Sequence, residues 1–147
     1  MDLLLQMRRL STNAVMYSGV TAAVARLHTT DMECLELLTL HGPLSAGQLS
    51  RLTGLTTGST TTMIDRLEAK GYVNRQQKMS DRRHVTVVPN TEKIDRDFDH
   101  ISAPLGEAML LLISKCSQDE IQIIDRFLQD ANAVVEAEIG QLAKHTN

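Results

Sequence analysis

Over residues 49–88, LSRLTGLTTGSTTTMIDRLEAKGYVNRQQKMSDRRHVTVV, the hydrophobic spacing switches from helical to alternating across one glycine, Gly71. That switch commits the chain to two short helices followed by a β-hairpin, the order of a winged helix-turn-helix. Ser45-Ala46-Gly47-Gln48 fits the capping box, in which a Ser side chain and a Gln three residues on satisfy N–H groups at a helix start. Leu44, Leu49 and Leu52 form an apolar stripe at helical spacing. Thr53-Gly54-Leu55-Thr56 reads as a turn, in which Gly54 takes the left-handed conformation that ends a helix. A second helix is expected from about Thr57 to Lys70, with Met63, Ile64 and Leu67 facing inward.

Its outer face is expected to carry Thr57, Ser59, Thr60, Thr62 and Arg66. Short hydroxyl side chains approach phosphates and base edges closely, so this face suits a DNA groove. Tyr72–Gln76 and His84–Val88 are β-prone stretches flanking a polar loop. Lys78, Arg82 and Arg83 give that loop a basic tip, and Arg75 precedes it. A hairpin tipped with arginine reaches a minor groove, where the negative potential of DNA is concentrated. Asp81, beside two arginines, reads as an internal brace that holds one guanidinium by a two-pronged hydrogen bond.

Total charge argues against a nucleic-acid partner, because 15 basic residues face 18 acidic ones for a net of −3. Its distribution argues the other way. From Arg51 to Arg83, seven basic side chains stand against three acidic ones, a local +4 that leaves −7 for the remainder. A local basic face is enough for phosphate binding, and an acidic remainder disfavours indiscriminate coating of DNA.

These residues carry a resemblance to a known family. The segment from His41-Gly42-Pro43-Leu44 to Val88 resembles the MarR family of bacterial winged-helix regulators, through the HGPL-type turn, the stretch Ser59–Glu68, the Lys70-Gly71-Tyr72-Val73 exit and the Asp81-Arg82-Arg83 wing. The match covers about a third of the chain at motif level. Two positions depart from the family pattern. Pro89-Asn90 stands where Leu-Thr usually opens the next helix, and Thr62 where many members carry a long side chain such as arginine. The resemblance implies a repressor that releases its promoter when a small phenolic or lipophilic anion wedges between the dimer helices and the DNA-binding lobe. On that frame, Tyr17, His28 and Met32 are the candidate pocket residues, beside a competing reading as ordinary packing with a hydrogen-bonded His28.

The flanks read as long amphipathic helices. Ser117-Gln118-Asp119-Glu120 is another capping box; Ile121, Ile124, Leu128, Ala131 and Val135 follow it at steps of three and four and Leu142 seven further on, with position 138 polar and Ile139 beside it. Ile94, Phe98, Ile101, Leu105, Met109, Leu112 and Cys116 form a similar seam, and Leu3, Met7, Leu10, Ala14 and Tyr17 a third. Three such helices offer more apolar surface than one small winged domain covers, so a homodimer is expected. A symmetric dimer reads a pseudo-palindrome with half-sites about 10 base pairs apart. The fold class is therefore mainly α with a small β-hairpin wing: residues 1–28 a dimerisation helix, 29–90 the winged helix-turn-helix and 91–147 the C-terminal dimerisation helices. Pro104, inside the fifth helix, is expected to kink it.

Other classes find little support. The first nine residues, MDLLLQMRR, have too short an apolar run and the wrong charge order for a signal peptide, and no stretch approaches the roughly 20 apolar residues of a membrane span, so a cytoplasmic protein is expected. There is no glycine-rich phosphate loop, nucleophile elbow or HExxH, and no enzyme or cofactor is expected. His28, Glu33, Cys34, His41 and His100 are too scattered for a metal site, and His84 sits on the hairpin. Cys34 lies in an amphipathic helix opened by an expected capping box, Thr30-Asp31-Met32-Glu33, and reads with Cys116 as a small apolar residue. Two alternatives stand beside the main reading: a protein-interaction module that never reads DNA, and a redox-responsive regulator using Cys34 or Cys116.

Overall fold

The computed structural model describes residues 2–78 and 81–144, with side chains described at 2–77 and 85–142. Among the described residues, six helices and three strands follow in the order α1 (Leu3–Val24), α2 (Thr29–His41), β1 (Leu44–Ser45), α3 (Ala46–Thr53), α4 (Thr57–Ala69), β2 (Val73–Lys78), β3 (Asp81–Pro89), α5 (Thr91–Ile113) and α6 (Gln118–Lys144). They fall into two compact units, one ending at Asp99 and the other beginning at His100.

In the first unit, each punctuation residue does the job its chemistry allows. Ser45 and Gln48 form the full capping box of α3, with Ser45 N–H donating to Gln48 Oε1 at 2.8 Å and Gln48 N–H to Ser45 Oγ at 3.2 Å. Gly54 closes α3 in the left-handed region (φ 70°), where a Cβ is costly. Gly71 (φ 76°) likewise turns the chain from α4 into β2. The hairpin β2–β3 pairs antiparallel, with Arg75 opposite Val87 and Gln76 opposite Thr86. A third strand, β1, adds to the outer edge of β3 with Leu44 opposite Val87, giving the order β1-β3-β2. Two residues are too few to show a period, so this strand has no sequence signal of its own.

The core of this unit is built by Leu35 and Leu38 from α2, Leu49 from α3, Met63, Ile64 and Leu67 from α4, and Val87 from β3, all buried. Leu44 and Leu49 of the expected α3 stripe join it, whereas Leu52, on the last turn of an eight-residue helix, stays half-exposed. The start of α2 differs from expectation. No Thr30–Glu33 capping box forms: the helix begins at Thr29, and His28 is its N-cap without a side-chain bond. The His28 carbonyl accepts from the N–H groups of Asp31 and Met32 at 3.0 and 3.1 Å. Asp31 is instead drawn into the interior, where it meets a partner from α4 described below.

Asn90 opens α5. Its Oδ1 accepts from Lys93 N–H at 3.2 Å, its Nδ2 donates to the Gly71 carbonyl at 3.2 Å, and its own N–H donates to the Tyr72 carbonyl at 2.8 Å. The departure at Pro89-Asn90 is thus a working helix cap that also ties α5 to the root of the wing. Tyr72 continues the tie. Its hydroxyl donates to Asp97 Oδ2 at 3.1 Å, its ring lies 5.1 Å from that of Phe98, and Lys93 Nζ sits 4.6 Å above its centroid.

In the second unit α5 continues through Pro104 to Ile113, and α6 opens with the expected Ser117–Glu120 capping box. Leu110, Leu111, Leu112, Ile123, Val134 and Leu142 are each more than half exposed. Among the described residues, no helix is long and apolar enough to cross a membrane.

Candidate nucleic-acid interface

Helix α4 has the polarity of a reading helix. Its N-cap is Thr56, whose Oγ1 accepts from Ser59 N–H at 3.2 Å and donates to Ser59 Oγ at 3.0 Å. Thr57, Gly58, Ser59, Thr61 and Thr62 form an exposed first two turns without one large apolar side chain. The hydroxyls of Thr61 and Thr62 donate back to the carbonyls of Thr57 and Gly58 at 3.0 and 3.1 Å. Their protons are thereby used within the helix, and they turn acceptor lone pairs and methyl groups outward.

Thr60 does not face outward. It is buried, and its hydroxyl donates to the Thr56 carbonyl at 2.9 Å. Four residues with the same side chain at 57, 60, 61 and 62 look alike in sequence. Position 60, however, precedes Met63, Ile64 and Leu67 by three, four and seven residues and falls on their stripe. Thr61, not singled out by the sequence reading, takes its place on the exposed face.

The two arginines of this region are held by carboxylates. Arg66 donates from Nε to both oxygens of Asp31 at 3.2 and 3.3 Å and from a terminal nitrogen to Oδ1 at 2.5 Å, and Asp31 itself is fully buried. Hydrogen bonding to Asp31 holds the Arg66 guanidinium pKa above its ordinary value. Arg75 reaches back from β2 to α4, contacting Asp65 at 2.6 Å and Glu68, and its pKa is likewise raised, first by the bond to Asp65. Lys70 donates to the Arg26 carbonyl at 3.2 Å. The side chains of Lys78, Asp81, Arg82 and Arg83, the expected basic tip and its brace, lie outside the described residues, as does that of His84.

The three expected pocket residues differ in exposure and surroundings. Met32 is in the core, Tyr17 is 38% exposed on α1, and His28 lines an open groove of about 610 Å³ with Thr30, Leu55, Thr56, Ser59, Thr62 and Arg66. Cys34 is fully buried, and burial followed by the Asp31 charge pushes its thiol up to about 12, far from a reactive thiolate. Cys116 is half-buried near the α5–α6 turn. Among the described residues no three His, Cys, Asp or Glu side chains converge on a point that could hold a metal ion.

Comparison with known proteins agrees with this geometry. The MarR family profile matches residues 27–85, from the end of the α1–α2 turn to the second wing strand. The uncharacterized HTH-type transcriptional regulator YcgE of Bacillus subtilis is 35% identical over 135 residues, covering 92% of this chain and 87% of its own. A second, YfiV of the same organism, is 32% identical over 106 residues, covering 68% and 66%. Among solved structures, a MepR mutant from a multidrug-resistant S. aureus clinical isolate superposes with a TM-score of 0.75 at 16% identity, covering 92% of this chain and 99% of its own. A MarR family protein from Bacillus stearothermophilus gives 0.68 at 22% identity, covering 91% and 93%. With a winged helix-turn-helix in place, a polar exposed face on α4, and a relative this similar along nearly its whole length, the chain belongs to the MarR family of transcriptional regulators, which are not enzymes.

Proposed function

We propose that the chain is a cytoplasmic homodimer that reads a pseudo-palindromic site in double-stranded DNA, and that it acts as a repressor relieved by a small aromatic or lipophilic anion. Residues 29–90 carry the readout, and 1–28 with 91–147 carry the dimer. Helix α4 enters the major groove with Thr57, Ser59, Thr61 and Thr62 toward the bases, while Lys78, Arg82 and Arg83 of the wing reach phosphates and the minor groove. Arg66 and Arg75, given their carboxylate partners, serve chiefly to hold that frame.

The observation that carries this reading is the composition of the exposed face of α4, which is hydroxyl-rich and free of large apolar groups. A protein-docking helix needs apolar anchors on that face. Effector relief follows linkage: a ligand that favours a dimer with the wrong spacing between reading helices weakens DNA by the factor by which DNA weakens the ligand.

Selection of duplexes from a random pool by the purified protein, at two salt concentrations, tests the reading. Recovery of a palindrome with half-sites about one helical turn apart is the expected result. Steeply salt-sensitive binding without a motif replaces it with a nonspecific binder. No binding at all favours the protein-interaction module.

A further inference from the structure

We propose that Asp31 is a positioning residue for DNA readout: by gripping Arg66 from inside the first unit, it sets the rotation of α4 about its own axis and so decides which hydroxyls meet the bases. The inference rests on α4 being the reading helix.

Three observations carry it. First, Asp31 is fully buried on α2, and both of its oxygens are engaged by the Arg66 guanidinium. Such pairs are a poor source of stability, because an apolar pair of similar volume is commonly neutral or better. What a planar guanidinium on a carboxylate does supply is direction. Second, the apolar contacts of α4 with the core come from Met63, Ile64 and Leu67, whose packing is not directional in that sense, and the other directional tie, from Arg75 to Asp65 and Glu68, is made on partly exposed side chains. Third, Ser59, Thr62 and Arg66 are spaced by three and four residues, lie on one stripe of α4, and line the same groove as His28 and Thr30. Fixing Arg66 therefore fixes the stripe. A rotation of roughly 20° would carry an outer atom, about 5–6 Å from the axis, by about 2 Å. That displacement is larger than the tolerance of a hydrogen bond to a base edge.

The pair also assigns Arg66 a place. Its charge is already balanced, so it adds little to counterion release, in contrast to an arginine lying on a phosphate.

The test compares the full-length wild type, Asp31→Asn, and the double variant Asp31→Leu with Arg66→Met. Each is measured for urea stability, for affinity to the duplex that the wild type selects from a random pool, and for affinity to a scrambled duplex of equal composition over a salt series. The double variant is expected to fold with undiminished stability and to bind scrambled DNA with unchanged affinity and salt slope. It should bind the selected duplex at least about tenfold more weakly, the worth of one base contact. Asp31→Asn keeps the shape and part of the hydrogen bonding, and should show a smaller loss of the same kind if the double variant does not fold. Undiminished discrimination in a folded variant overturns the inference alone. A salt slope shallower by about one overturns it too, by placing Arg66 on a phosphate. A wild type that selects no motif overturns the DNA reading and this inference with it.

Discussion

The guanidinium of Arg75, at the root of the wing, lies 2.6 Å from Asp65 of helix α4 and against Glu68 of the same helix, while the Arg75 backbone N–H donates to Glu68 at 3.0 Å. Strand β2 and helix α4 are thereby joined by side chain and main chain at once. The groups are about a third exposed or more, so solvent screens the attraction. A double-mutant cycle with Arg75→Ala and Glu68→Ala should give a coupling of about 0.5–1 kcal/mol in urea unfolding. Because two carboxylates balance this arginine, Arg75→Ala should leave the salt slope of DNA binding nearly unchanged. A slope shallower by a full unit would place Arg75 on the phosphate backbone instead.

The wing tip should behave in the opposite way. Arg82 and Arg83 sit in the most basic stretch of the chain, and the proposed reading gives them phosphates and the minor groove. Replacing both with Ala should weaken DNA binding by more than about 1 kcal/mol and make the salt slope shallower by one to two. Equal affinity in a folded double variant would remove the wing from the mechanism.

Much of this architecture is legible in the sequence because local chemistry and tertiary structure agree there. Ser45 with Gln48, Ser117 with Glu120, Gly54 and Gly71 all act as their residue types suggest. Misreading occurs where a distant partner overrides local preference. Thr30-Asp31-Met32-Glu33 has the spacing of a capping box, yet the residue that matters, Asp31, turns inward to meet an arginine 35 positions away. Thr60 is indistinguishable by type from its neighbours, and only the stripe of Met63, Ile64 and Leu67 marks it as buried. The carboxylate partners of Arg66 and Arg75 are likewise illegible, because nothing in a linear charge count records who faces whom.

Cysteine chemistry gives a direct check on the redox alternative. Cys34 is buried and its thiol is pushed up to about 12, chiefly by burial and further by Asp31. At pH 8 almost none of it is thiolate, so iodoacetamide should label Cys116 first and Cys34 only on unfolding, as read by mass spectrometry of the digested protein. Rapid native labelling of Cys34 would reopen a redox role for that residue.

Asp97 makes acid stability predictable in sign. Its carboxyl is held below the ordinary carboxylate value, first by the hydrogen bond from Lys93, at 2.7 Å, and then by those from Arg96 and Tyr72. A carboxyl that is more acidic folded than unfolded stabilises the protein fully above the unfolded value, near 4. That contribution fades as the pH falls from there through the lowered value. Asp97→Asn should therefore be less stable than wild type at neutral pH, with the gap closing below about pH 4. A gap that stays constant across urea midpoints from pH 7 to pH 3 would mean that the charge of Asp97 contributes nothing to the link between Tyr72 and α5.

The apolar seams make the oligomeric state a quantitative matter. On α6, Ile124, Leu128, Val135 and Ile139 recur at steps of four and seven, yet each is 45–57% exposed in a single protomer. Leu105 and Met109 of α5 are each 43% exposed, and Leu3 and Leu10 of α1 more so. Burying one such side chain stabilises by about 1.5–3 kcal/mol, so a partner that covers even part of these seams recovers a large free energy. Sedimentation at micromolar concentration should show a dimer. Leu128→Asp together with Val135→Asp, which leave the core of the first unit untouched, should give a folded monomer whose DNA affinity falls because half-sites are no longer read together. A wild-type monomer at that concentration would rule out the dimer, and an undisturbed dimer in the double variant would move the interface off this face of α6.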